Sequence, residues 1–272
     1  MKSKLLALAL GSAVAVGSAH ATTVGGIYFE DTANQTYFEN TTLFESVVNN
    51  AGDTLTGYGM VTSVNGNDAA IYGGGLYRLY FTFSYDVGSI NTNLVQFDSG
   101  TVSVYRVNSF LNLSTNDPTT AQTFIQAGTL WATFSGHNNV ATVSTGGLPL
   151  NASTVLYGEG TVLGQALKFT GSGLLDVTSG LADVVNFLDT NKIPDAVGSM
   201  ADAELFTDAS STGGITGTHC TPDPQTGLLP TGEFCVSGSA NVKGTYKIPE
   251  PGSLALVGLG LLGLVGAGRR KQ

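Results

Sequence analysis

Cationic side chains are scarce in this sequence. Lys and Arg together number 11 in 272 residues, and five of them lie in the first four and last four positions. The stretch 22–247 carries 19 acidic against 6 basic side chains, a formal charge of −13. Such a surface repels nucleic acid and anionic lipid, which excludes a nucleic-acid-binding role. Charged residues make up 11% of the chain, well under the roughly 25% usual for globular domains. Histidine is nearly absent as well: with His20 near the start, only His137 and His219 fall in the central stretch. No G-x-S-x-G occurs, so nothing in the sequence assembles a nucleophile with an oriented base. No period of 20–50 residues recurs, which excludes a repeat solenoid. Cysteine is limited to Cys220 and Cys235.

What is present at the N-terminus is a leader. MKSKLLALALGSAVAVGSAHA places Lys2 and Lys4 before an apolar run and ends on Ala19-His20-Ala21. That is a charged n-region, an h-region and an A-x-A cleavage site, so residues 1–21 read as a secretory signal peptide. In the oxidising compartment this implies, Cys220 and Cys235 are expected to form a disulfide. At the other end, Ser253 to Gly268 holds 16 residues without a charge. As a helix rising about 1.5 Å per residue it covers roughly 24 Å, short of a hydrocarbon core of about 30 Å. Arg269, Arg270 and Lys271 follow and stay on the inner side by the positive-inside rule, which puts the body of the protein outside. A short transmembrane helix that holds the chain only until it is cut is the expectation for 248–272.

The order Pro249-Glu250-Pro251, apolar run, Arg269-Arg270-Lys271 resembles the PEP-CTERM sorting signal of Gram-negative bacteria. The resemblance implies a transient stay in the inner membrane, recognition by an exosortase near the Pro-Glu-Pro, and delivery to the cell surface or extracellular matrix. Proteins with this signal occur in species that make exopolysaccharide and form biofilms or flocs. A narrower likeness to flocculation-associated proteins of the group lies in LTGYGMVTSVNG and in FLDTNKIPDAVGSMADAELFT. The second stretch holds Asp189, Asn191, Pro194, Asp195, Gly198, Ala201 and Asp202. No catalytic residues come with either resemblance.

Between the signals, 22–247 reads as one β-rich extracytoplasmic domain. LYRLYFTFSYDV sends Leu79, Phe81, Phe83, Tyr85 and Val87 to one face and Arg78, Tyr80, Thr82, Ser84 and Asp86 to the other. TVSVYRVN and TLWATFSG repeat the pattern, with turns expected at Asp98-Ser99-Gly100 and Gly136-His137-Asn138. Four weaker strands are TLTGYGMVTSV, NVATVST, ALKFTGSG and NVKGTYKI. Leu181, Val184, Val185 and Leu188 recur at helical spacing, capped by Thr178 or Ser179 and ended before Pro194. The fold class expected is mainly β, an antiparallel jelly-roll-like β-sandwich with one short helix.

Several constellations invite a chemical reading. Asn65, Asn67 and Asp68, and separately Asp189 with Asn191, supply hard oxygens at short spacing, the donor set Ca²⁺ selects, with Asx turns the competing use. No other cofactor is indicated. Glu30, Glu39, Glu45, Glu159 and Glu233 could furnish a glycosidase pair, but each reads as surface charge. GLGLLG at 258–263 lies inside the apolar tail, where a phosphate cradle has no strand to follow. The Pro-Thr-Gly of LLPTG reads as a turn. The functional expectation is a non-catalytic surface or matrix protein associated with exopolysaccharide. The rivals are a secreted polysaccharide-active enzyme and a lectin-like carbohydrate-binding module.

Overall fold

Side chains on a strand alternate between two faces, so a sequence with period-two patterning builds sheets whose one face is buried. The computed structural model describes residues 21–30, 35–212 and 214–247. The stretch expected to be a signal peptide, through His20, lies outside the described residues, as do the Pro-Glu-Pro, the apolar run and the basic cluster. Ala21–Lys247 forms one compact unit. It opens with a hairpin of β1 (Thr22–Val24) and β2 (Ile27–Phe29). Next come β3 (Gln35–Glu45), β4 (Thr54–Met60), β5 (Ser63–Val64), β6 (Asn67–Asp68) and helix α1 (Ala69–Tyr72). Strands β7 (Arg78–Ile90) and β8 (Leu94–Val107) lead into helix α2 (Pro118–Gln126). After β9 (Thr129–Gly136), β10 (Leu156–Thr161) and β11 (Lys168–Gly180) comes helix α3 (Ala182–Leu188). The unit finishes with β12 (Ile193–Pro194), β13 (Met200–Ala201), β14 (Ala203–Ser211) and β15 (Val236–Thr245).

These strands close on themselves. β3, β4, β7 and β8 are paired antiparallel in that order, and so are β11, β14 and β15. Between β8 and β11 one position is shared: β10 pairs along Leu94–Phe97 of β8, and β9 along Thr101–Arg106. β15 then pairs with β3 from Val236↔Glu45 to Thr245↔Gln35. The result is a closed eight-strand β-barrel, not the expected sandwich. Period-two alternation is identical for the inner face of a sandwich and the lumen of a barrel. What separates them is whether the first and last strands meet, and a closed circuit leaves no edge unpaired.

Eight strands enclose a lumen only just wide enough for side chains. Three aromatics of β7 fit because glycines face them from the neighbouring strands. A Cβ on Gly57 would lie 1.9 Å from Phe83 Cζ, one on Gly59 2.5 Å from Phe81 Cζ, and one on Gly100 1.9 Å from Tyr85 Cδ1. Gly100 therefore belongs inside β8, and the turn expected at Asp98-Ser99-Gly100 is not formed. The inward set Leu79, Phe81, Phe83, Tyr85 and Val87 is as the alternation predicts. Tyr80 departs from the outward set: it is fully buried, because α2 packs over it with Ala121 and Ile125. Asp117 caps that helix and Pro118 opens it, a start signal that the sequence carries in plain form. NVATVST forms no strand beyond a single bridge, Val143 to Pro149. The helix at 182–188 starts at Leu181 with no side-chain cap.

Each barrel end is stoppered. At one end the β1–β2 hairpin and α3 bring Phe29 against Phe187 at a tilt, with centroids 4.9 Å apart, and Phe187 stacks on Tyr246 at 4.7 Å. Gly25 secures the hairpin: its N–H donates to Asp183 Oδ2 at 2.8 Å and its carbonyl accepts from Arg106 Nη1 at 2.5 Å. Its φ of +57° and the Trp131 ring 2.4 Å from a notional Cβ both require glycine. At the other end Val47, Leu167, Leu229 and Val236 pack with Cys235. Cys235 is bonded to Cys220 as expected, with Cα atoms 5.5 Å apart. A bridge closing a loop of this size contributes about 3 kcal/mol by restricting the unfolded chain. The double variant Cys220→Ser, Cys235→Ser is therefore expected to lose about that much stability in urea denaturation, with its strands retained in far-UV circular dichroism.

Candidate functional site

Three groups of side chains stand out from the scaffold: the lumen, the segment from Asp189 to Asp202, and the outer face of β14. The lumen wall is built from Phe81, Phe83, Phe97, Phe134, Leu175 and Leu205 among others, around a cavity of about 100 Å³. Glu45 is part of this wall and is only 4% exposed, so the expectation of surface charge is wrong for it. The run Leu43-Phe44-Glu45-Ser46-Val47 held the clue, since a lone carboxylate between apolar neighbours follows Leu43 inward by period two. One oxygen, Oε2, has no hydrogen-bond partner. Burial pushes this carboxyl up to about 7, because a charge without a partner is costly in an apolar lumen. The group is thus a neutral acid through the mildly acidic range. Tyr85 also lines the lumen, and burial pushes its phenol upward. The remaining glutamates serve elsewhere. Glu39 accepts from Ser63 Oγ, Glu159 from Gly146 N–H, Glu233 from His219 N–H, and Glu30 from Asn67 Nδ2.

The second group explains the spacing of DTNKIPDAVGSMAD. Asp202 is buried and its two oxygens collect three backbone N–H groups: Thr190 and Asn191 at 2.7 Å each and Val177 at 2.8 Å. It thereby ties the exit of α3 to β11. Asp195 accepts from the N–H of Val197 and Ser199, closing the β12–β13 hairpin in which Gly198 takes φ +93°. Asn191 sits at φ +50° and donates to Asp189 Oδ1, while Asp189 lies 3.8 Å from Lys247. His137 joins the same group. It is not solvated in a turn: its Nδ1 is 2.8 Å from Asp176 and its Nε2 3.4 Å from Asp195, with the ring 12% exposed. Desolvation pushes Asp195 upward, but the N–H groups of residues 197–199 and the His137 ring outweigh it and hold the carboxyl low. With a carboxylate on each ring nitrogen, His137 has no nitrogen left for a nucleophile's proton. It acts as a clamp. Its partners lie 39 and 58 residues away, so no local signal marked it.

The other oxygen-rich run is likewise committed to turns. Asn65-Gly66 is the β5–β6 hairpin turn, with φ +51° and +80°. Asn65 Oδ1 accepts from Tyr37 N–H, and Asp68 caps α1 by accepting from Ala70 and Ile71. Among the described residues no cluster of three His, Cys, Asp or Glu is placed to hold a metal ion. None of their helices is long and apolar enough to cross a membrane.

The third group is on the outside. Phe206 is 46% exposed, an aromatic ring in the open on the outer face of β14. Its register partners are Ser172 of β11 and Asn241 of β15. Glu204 and Asp208 stand two residues either side of it on the same face. Around one apolar ring, the surface therefore offers a hydroxyl, an amide and two carboxylates. Local periodicity gives no strand over Ala203–Ser211, because the segment follows the helical run directly.

Comparison with known proteins assigns the C-terminal stretch. Residues 247–271 match the model of the PEP-CTERM protein-sorting motif, which spans the Pro-Glu-Pro, the apolar run and the basic cluster. No curated protein matches the chain. Among solved structures, a porin-like protein from Bacteroides uniformis is aligned at 10% identity and a TM-score of 0.10. That alignment covers 84% of this chain and 100% of the other, and at such a score it carries no argument.

Proposed function

We propose that this chain, an exported protein whose PEP-CTERM motif makes it a substrate for exosortase processing, is a non-catalytic component of the cell surface or matrix of a Gram-negative bacterium. In this reading its barrel associates with exopolysaccharide in biofilm or floc. The sorting motif carries the destination. Phe206 and its surroundings support the glycan contact. A sugar ring has an apolar C–H face that packs on an aromatic ring, and a rim of hydroxyls that bond to Ser172, Asn241, Glu204 and Asp208. The formal charge of −13 on residues 22–247 adds a second link, since divalent cations can bridge carboxylates to an anionic polymer. The use of Asp176, Asp195, Asp202 and His137 as clamps and caps supports the non-catalytic part of the reading.

The test has two arms. Deleting residues 249–272 is expected to release the protein to the medium or periplasm and to impair aggregation. Phe206→Ala is expected to weaken binding to the host's own exopolysaccharide about tenfold, the loss of roughly 1.4 kcal/mol of stacking. Its thermal midpoint should shift by only a few degrees, because nearly half of the residue is open to solvent and it lies outside the barrel core. Normal floc formation after deletion of the whole gene would overturn the reading.

A further inference from the structure

Five buried side-chain polar atoms among the described residues lack a hydrogen-bond partner. Four of them, Asn40 Oδ1, Glu45 Oε2, Tyr85 Oη and Trp131 Nε1, belong to residues that line the lumen cavity. The fifth, Tyr58 Oη, belongs to the cluster under α2. Folded proteins leave few such groups, and each one calls for an explanation. The one that belongs to a carboxyl, Glu45 Oε2, is the costliest to leave unpaired and is the one to be explained here.

Water is a poor candidate. A buried water makes about three hydrogen bonds, and apolar cavities stay dry. Asn40 and Glu45 are five residues apart on one strand, on the order of 15 Å at about 3.3 Å per residue. Most of the wall between the polar atoms is Phe, Leu and Val, so a water beside any one of them finds too few partners. A molecule with an apolar body and one polar group matches the wall better. The cavity of about 100 Å³ sets its size. An apolar cavity of about 150 Å³ in another protein accepts benzene. A sugar residue is too large and too polar for this lumen.

We propose that the barrel lumen binds a small, mainly apolar organic molecule about the size of one aromatic ring, whose hydrogen-bonding group meets the Glu45 carboxyl. Burial holds that carboxyl protonated in mildly acidic solution, so it can donate as well as accept. The rings of Phe81, Phe83 and Phe97 supply the apolar contact. The site is inside the barrel and Phe206 is outside, so this inference stands or falls apart from the matrix reading.

The chain's one tryptophan, Trp131, lies on the cavity wall and reports occupancy directly. Full-length protein with its disulfide intact is titrated at pH 6 with phenol, and with benzene as the apolar control, while Trp131 emission is followed. Phenol is expected to give a saturable change. Glu45→Leu should weaken phenol at least tenfold and leave benzene within about threefold. Glu45→Gln, which keeps a hydrogen-bonding group, should hold phenol within about threefold of the parent. Leu205→Phe, which fills the lumen, should abolish both responses. No saturable change in the parent protein, equal phenol affinity in Glu45→Leu, or phenol binding that survives Leu205→Phe would each overturn the proposal.

Discussion

Replacing Asp202 with alanine is expected to destabilise the barrel by about 4 kcal/mol or more, a large part of the roughly 5–15 kcal/mol that holds a domain folded. Asp202 is 3% exposed, and its carboxylate satisfies the N–H groups of Val177, Thr190 and Asn191 at 2.7–2.8 Å. Hydrogen bonds to a charged acceptor contribute about 1.5–3 kcal/mol each, and removing the acceptor leaves one buried donor, Thr190 N–H, and two half-buried ones without their partner. Water entering the space restores some of the loss, which is why the expectation sits near the low end of the sum. Asp202→Asn keeps one carbonyl oxygen in place and should cost about half as much. Urea denaturation of both variants checks the pair. A loss under about 1 kcal/mol for alanine would show that the carboxylate does not tie α3 to β11.

Glu45→Gln is expected to do the opposite, and only above acidic pH. Burial pushes the folded carboxyl up to about 7 from its ordinary value of 4.5. A raised folded value means the native state holds its proton more tightly than the unfolded chain. The native state is therefore most favoured below about 4.5, and stability is lost as pH rises toward 7. Above that range the parent carries a buried carboxylate and the glutamine variant does not. The difference, at 1.36 kcal/mol per pKa unit, comes to between about 3 and 4 kcal/mol in favour of the variant at pH 8. At pH 4 the two should be equal. Denaturation curves at pH 4, 6 and 8 measure the gap directly, and a gap that fails to widen with pH would place the carboxyl in contact with water.

Both variants concern carboxylates that look alike in sequence and differ wholly in what surrounds them. Asp202 lies in a motif whose residue types can be understood one by one: Asn191 and Gly198 accept left-handed backbone, while Asp195 and Asp202 receive N–H groups. The resemblance pointed to this segment, and the structure supplies its physical use. Glu45 was legible only as one carboxylate in an apolar run, and a position on a strand does not say which side water occupies.

By itself the sequence determined whatever depends on near neighbours. The alternation in β7, the two cysteines of the disulfide, and the sorting signal at 247–271 are all set within short stretches of chain. Only the tertiary structure decided that β15 meets β3, that His137 lies between Asp176 and Asp195, and that the Glu45 carboxyl is buried in the wall of the lumen with one oxygen unpaired. Val236 and Glu45 are about 190 residues apart, and a hydrogen bond across that distance leaves no mark on local periodicity. The same strands could have stacked as two open sheets. Closure of the circuit turned one of their faces into a lumen and carried Glu45 inside it.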